Sequence, residues 1–232
     1  MTTTEDFKLK ATDPNQYDAS ELDWTVLGDV SHSSRVFFRD YLVKELEDLS
    51  GKKVLDIGSG VGQLFNTLKS FGAEKVVGIE PSLRNFKHSK TKYPGIEVHN
   101  GTLENFSTGD KFNVVICIAV FEHIVDIDSA FSKISSLLVD GGTFYLMVAD
   151  FDYNITTRVN ANGFEVVTET QKIDDETVAT KTHYEGGLIY DIMHKLRSVK
   201  NSADKSSLKL IKNIDMFSSK GNLAWHFLIF KK

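Results

Sequence analysis

The 232-residue chain has a single cysteine, Cys117, so neither an internal disulfide framework nor a CxxC metal or redox motif is open to it. No apolar run reaches the length needed to cross a bilayer. The N-terminus, Met1-Thr2-Thr3-Thr4-Glu5-Asp6, lacks the basic region and apolar segment of a leader, which points to a cytoplasmic protein. Basic charge is sparse too. Net charge is −5 and no Lys/Arg cluster exceeds a dipeptide, whereas a chain that grips phosphate backbones shows a basic stripe. Neither a nucleic-acid nor a membrane partner is expected. Internal repeats and low-complexity tracts are missing as well. What remains is an ordinary globular composition, 41% hydrophobic and 25% charged, enough for one domain with appendages and a full core.

The chain is organised around residues 53–62, Lys-Val-Leu-Asp-Ile-Gly-Ser-Gly-Val-Gly. An apolar run ends in an acid, glycines follow at 58, 60 and 62, and a helical pattern starts at Gln63. Strand, glycine turn and helix in that order let backbone approach a ligand closely, because no Cβ intervenes. Dinucleotide sites want G-x-G-x-x-G so that a pyrophosphate can sit on the helix start. Here the spacing is G-x-G-x-G, and Asp56 stands two residues before the first glycine. An acid there repels a pyrophosphate and suits a cationic ligand. Glu80, eighteen residues beyond Gly62 at the end of the next apolar run, is placed to accept both hydroxyls of a ribose.

Around this unit the pattern predicts a polar arm over 1–30 and a helix over 34–49 with Phe38, Leu42, Leu46 and Leu49 on one face. Strands are expected at 53–57, 75–80, 96–99, 111–118 and 143–148, with helices at about 63–71, 83–92 and 127–138 between them. The alternation with short connections describes a doubly wound, mostly parallel α/β sheet with helices on both faces. Further on, a helix is expected over 154–162, strands at 164–168 and 223–230, and a helical stripe of Leu188, Ile189, Ile192, Met193 and Leu196. Residues 206–217 fit helix and strand equally. The division expected is an arm and first helix over 1–50, then a core over 51–232 with a substrate-covering insertion at about 174–222.

The motif Asp56-Ile57-Gly58-Ser59-Gly60-Val61-Gly62 resembles the first motif of class I S-adenosylmethionine-dependent methyltransferases. Cys117-Ile118-Ala119-Val120-Phe121-Glu122-His123-Ile124 resembles the strand-four signature of small-molecule members, including the ubiquinone-biosynthesis O-methyltransferase group, where Glu-His follows an apolar pair. The resemblance covers about residues 54–148. It implies a Rossmann-like seven-stranded sheet with the last strand antiparallel. It also implies S-adenosylmethionine as cofactor, S-adenosylhomocysteine as product, and methyl transfer to an O or N atom of a small-molecule acceptor by a monomer or homodimer.

Carried over residue by residue, the implied cofactor set is Asp56, Gly58, Ser59, Gly60 and Gly62 on the turn, and Glu80, Pro81 and Ser82 after strand two. Thr102 and Leu103 follow strand three, Cys117 and Ile118 lie on strand four, and Arg35 near the first helix pairs with the methionine carboxylate. Two positions depart from the family pattern. Thr102 stands where an Asp is common, and Ala119 where some relatives carry the Glu that completes a metal site, so no metal is expected. Candidate proton acceptors are His123, just past strand four, and His183 and His194 in the segment expected to cover the acceptor. Tyr17, Trp24, Phe151, Tyr153, Tyr184 and Tyr190 are candidates for acceptor recognition. Two other classes stay open: a non-catalytic S-adenosylmethionine-binding subunit and an NAD-dependent oxidoreductase.

Overall fold

Strands buried on both faces must be apolar along their whole length, and such runs form the centre of the molecule. A computed structural model describes residues 3–19, 33–159, 165–184 and 187–232. Trp24 lies outside those residues, as do the side chains of Arg35 and Tyr184. Among the described residues, the helices α1 (Thr4–Ala11), α2 (Gln16–Ala19) and α3 (Ser33–Glu45) come first. Strand and helix then alternate through β1 (Lys53–Ile57), α4 (Phe65–Ser70), β2 (Lys75–Glu80), α5 (Leu83–Lys92), β3 (Glu97–Asn100), β4 (Phe112–Ile118), α6 (Ile127–Leu137) and β5 (Leu138–Ala149). After the short α7 (Phe151–Asn154) come β6 (Arg158–Val159), β7 (Glu165–Lys172), β8 (Thr177–Tyr184), β9 (Gly187–His194), α8 (Leu196–Lys205), β10 (Lys209–Phe217) and β11 (Leu223–Lys231).

The main sheet has seven strands in the order β10-β11-β5-β4-β1-β2-β3. Strands β1 to β5 pair in parallel, and β11 runs antiparallel to both β5 and β10. This is the expected sheet with its last strand antiparallel. One face is covered by α6, whose Ile127, Ala130, Phe131, Ile134 and Leu137 recur at helical spacing, and by Val199 and Ala203 of α8. The other face carries Phe38 and Leu42 of α3, Leu46 just beyond it, and Phe65 and Leu68 of α4. The Asp126 side chain caps α6 by accepting from Ser129 N, and Ser82 caps α5 by accepting from Asn85 N.

The C-terminal third differs from the pattern reading. The sixth main-sheet strand is β10, drawn from the ambiguous stretch, whereas the strand expected at 164–168 is β7 of a separate antiparallel sheet, β6-β7-β8-β9. The stripe at 188–196 is strand β9 followed by α8, not a helix. Its apolar residues satisfy both periods, and pairing decides: β9 meets β8 along its whole length, from Thr177↔His194 to Tyr184↔Gly187. Ile189, Asp191 and Met193 then share one face, and Tyr190 and Ile192 the other. Of the helix expected at 154–162, residues 154–159 form only the end of the single turn α7 and then β6, and residues 160–162 lie outside the described residues. The segment expected at 174–222 therefore divides between the two sheets.

On the Tyr190/Ile192 face a second, small core forms as α1 docks with Phe7 and Ala11, both fully buried, against Ala179, Tyr190 and Ile192. The Phe7 and Tyr190 rings meet edge to face at 5.5 Å. The small sheet touches the main one through β9, which packs on the turn at Phe121–His123 beyond β4. Arm and small sheet together roof the carboxyl ends of the parallel strands, where doubly wound sheets bind ligands.

Candidate active site

Beneath that roof lies a cavity of ≈ 1170 Å³, walled at one end by Gly58, Gly60, Glu80, Pro81, Thr102, Leu103 and Ile118. The glycine turn holds Gly58, Gly60 and Gly62 at φ +68°, +55° and +81°, a region that penalises any side chain. A Cβ on Gly58 would lie 2.2 Å from Val120 Cγ2, so the turn and the loop after β4 fit only with glycine there. Glu80 ties the turn to β2: Gly60 N donates to Oε2 at 2.8 Å and Ser82 N to Oε1 at 3.0 Å. Each carboxylate oxygen keeps a second lone pair for a ligand hydroxyl. Asn100, which the sequence reading missed, donates to the carbonyls of Glu80 and Pro81, both at 2.9 Å, and fixes the strand-end loop.

Burial pushes the Glu80 carboxyl up to about 7 against the opposing Gly60 and Ser82 amides. Burial, with the Glu80 charge adding, pushes Asp56 up to about 8. Asp56, Gly62, Ser59, Ser82 and Cys117 lie behind the cavity surface: Asp56 borders a small recess with Phe38 and Gln63, and Cys117 is packed in the core with its thiol pushed well up by burial. Around the turn, Asp56 Oδ2, Ser59 Oγ, Gln63 Oε1 and Asn85 Oδ1 are buried without a hydrogen-bond partner. Buried acceptors left unmatched are costly, and of these Gln63 and Asn85 line the cavity, where a ligand rich in N–H and O–H donors meets that need.

The other end of the cavity is walled by Tyr17, Ala149, Asn154, Glu122, His123, Thr182, Ile189, Asp191, Met193 and Trp225. His123 is held on both ring nitrogens: Nε2 bonds the Tyr17 hydroxyl, and Gln16 Nε2 donates to Nδ1 at 3.4 Å. Asp191 Oδ1 lies 3.7 Å from the same Nδ1. Burial lowers His123 to about 4, so the ring is neutral near pH 7. Glu122 accepts from Ala149 N at 2.7 Å through Oε1, while its Oε2 has no partner. Burial pushes Glu122 up to about 7, and burial with the Glu122 charge pushes Asp191 up to about 8.

The other two histidines do not join this wall. His194 is buried and donates through Nε2 to Ile124 O at 2.7 Å, tying β9 to the loop after β4. His183 is exposed on β8 beside Glu169, 3.2 Å away. Among the described residues no three His, Cys, Asp or Glu side chains are placed to hold a metal ion, and no helix is long and apolar enough to cross a membrane.

A helix-capping contact, unforeseen in the sequence, joins the arm to the cofactor end. Asp18 accepts from Ser82 Oγ at 2.6 Å, Leu83 N at 2.9 Å and Arg84 N at 3.1 Å, at the N-terminus of α5. Although burial works to raise it, the Ser82 hydroxyl and these amides hold the Asp18 carboxyl below its ordinary value.

A seven-stranded sheet of this order with a glycine turn and a strand-end acid defines the class I S-adenosylmethionine-dependent methyltransferase architecture. A family model described as a methyltransferase domain matches residues 32–181, and the chain belongs to that family. A ubiquinone biosynthesis O-methyltransferase from Bradyrhizobium sp. (strain ORS 278) is 32% identical over 103 residues, covering 43% of this chain and 40% of that protein. The match thus spans about two fifths of the relative's length. Among solved structures, an S-adenosylmethionine-dependent methyltransferase from Clostridium acetobutylicum ATCC 824 superposes with a TM-score of 0.64 at 16% identity, over 84% of this chain and 89% of that one. The glycopeptide N-methyltransferase MtfA, complexed with S-adenosylmethionine, gives 0.63 at 14% identity over 84% and 92%.

Proposed function

We propose that this protein moves the sulfonium methyl of S-adenosylmethionine to an O or N atom of a small-molecule acceptor. The observation that carries the reading is one covered cavity that runs from the glycine turn and Glu80 to Glu122, His123 and Asp191. Bound there, S-adenosylmethionine supplies an already activated methyl group. The unpartnered oxygens of Gln63 and Asn85 on the cavity wall support its fit, because the ligand's hydroxyl and amino groups supply the missing donors.

The chain's own residues have three tasks. Gly58, Gly60 and Glu80 bind and position, with Glu80 accepting the ribose hydroxyls. The arm and small sheet roof the chamber, which limits water and orients the acceptor against Ile189, Met193 and Trp225. Proton removal falls to a group whose affinity for protons matches working pH. Neutral His123 is a weak base at about 4 and its nitrogens are already engaged, so its part is to hold arm and acceptor in place. Glu122 and Asp191, near 7 and 8, are better matched.

A chamber that joins the cofactor end to Glu122 and Asp191 beneath the arm supports an enzyme over a non-catalytic binding subunit, and the G-x-G-x-G spacing with the acid at Asp56 disfavours an NAD-dependent oxidoreductase. Calorimetry against S-adenosylhomocysteine and NAD tests the reading. Micromolar binding of the first and none of the second is expected, and preference for NAD would overturn it.

A further inference from the structure

The acceptor end of the cavity holds more buried acid than the proposed reaction requires of it. Glu122 and Asp191 both line it, both are more than nine-tenths buried, and the Glu122 charge acts on Asp191. Glu122 Oε2 is buried with no hydrogen-bond partner. The positive groups nearby are engaged elsewhere. Arg158, which acts to lower Asp191, donates to Asn154 Oδ1 at 3.3 Å and lies over the Tyr153 ring at 4.9 Å. Lys10 reaches the Tyr190 hydroxyl on the opposite face of β9. His123, the ion-pair contact of Asp191, is neutral. Two desolvated carboxylates without a resident cation are a liability that a bound cation removes. Beside them the wall is apolar, with Ile189, Met193 and Trp225.

We propose that the acceptor is a basic amine with an apolar body, seated with its ammonium group between Glu122 and Asp191, and that its nitrogen is the atom methylated. The inference rests on the methyltransferase reading and narrows it. An anionic acceptor meets repulsion at this wall, and an alcohol leaves Glu122 Oε2 and Asp191 without a counter-charge. The same carboxylates prepare the nucleophile. One N–H bond of the ammonium breaks, its proton passes to a carboxylate oxygen, and the electron pair stays on nitrogen. That pair forms the new N–C bond as the methyl–sulfur bond breaks and its electrons remain on sulfur. The product is a methylated ammonium ion, with one proton left on the protein.

The test uses benzylamine, benzyl alcohol and benzoate as probes, titrated calorimetrically into the full chain saturated with S-adenosylhomocysteine. Titrations near pH 7 in two buffers of different ionisation enthalpy read proton release. The amine should bind at least ten-fold tighter than the alcohol and release protons as the carboxylates ionise, and benzoate should bind least. Asp191→Asn and Glu122→Gln should each erase most of the amine's advantage, while the S-adenosylhomocysteine Kd stays within two-fold. Amine binding no tighter than alcohol binding, or undiminished in Asp191→Asn, overturns the proposal and leaves the methyltransferase reading standing. Failure of the wild type to bind S-adenosylhomocysteine overturns that reading, and this proposal with it.

Discussion

The two ends of the cavity are built by different means. At the cofactor end, backbone does the shaping: three left-handed glycines, strand ends and one carboxylate that staples the turn to β2, nearly all within residues 56–82. At the acceptor end the wall is side chain, brought from Tyr17, Glu122 with His123, Asp191 and Trp225 on four separate segments. The difference separates what is shared from what is particular. A backbone cradle recognises features common to every turnover, whereas side chains from distant segments can be exchanged singly to fit one acceptor.

Substitutions at each end can break or sharpen this contrast. The largest effect is expected from Gly58→Val, which places a branched side chain at positive φ and 2.2 Å from Val120 Cγ2. Binding of S-adenosylhomocysteine should fall below detection by calorimetry, and retention within ten-fold would show that the turn can yield. Next is Phe7→Ala in the small core, where truncating a buried phenylalanine costs about 3–5 kcal/mol. Hydrogen exchange should accelerate in 4–19 and 177–194 alone; acceleration across β1 to β5 would mean the two ends are one cooperative unit. Glu80→Ala removes a charged acceptor, so S-adenosylhomocysteine affinity should drop about ten-fold or more, whereas Tyr17→Phe should change it less than three-fold.

The smallest effect is a shared one. Asp56 and Asp191 are both raised to about 8, far above their unfolded values, so folding favours their protonated forms. Their contribution is fully present below about pH 4 and lost as pH rises through 8. His123, lowered to about 4, acts in the opposite sense only below its ordinary value near 6.5. Between pH 6.5 and 8 the ligand-free protein should therefore lose stability steadily as pH rises. Asp56→Asn and Asp191→Asn should each flatten the curve in denaturant titrations. If only one does, the electrostatics of the two ends differ as much as their construction.

Legibility followed the same divide. The cofactor end could be read because its signal is local: Asp56 and the alternate glycines stand in seven consecutive residues, and Glu80 closes an apolar run. Asp191 was hidden because Leu188, Ile189, Ile192 and Met193 satisfy helix and strand periods alike, and only the pairing of β9 with β8 turns Asp191 toward the cavity. The β-branched and aromatic content of 187–194 was the available signal. The Asp18 cap on α5 depends on a contact across 64 residues, which no local pattern encodes. Likewise His194 looked like a base until its ring proved to hold the loop after β4.

One strand also governs when the molecule can become itself. Because β11 lies between β5 and β10, β10 reaches the main sheet only through β11. During synthesis from the N-terminus, the long, buried β5 presents a bare hydrogen-bonding edge until residues 223–231 emerge. An unpaired apolar edge is a template for association with other chains. The nascent protein thus passes through an interval of adhesiveness whose length is set by the translation of about 75 residues beyond β5, and slow codons in that stretch would lengthen it.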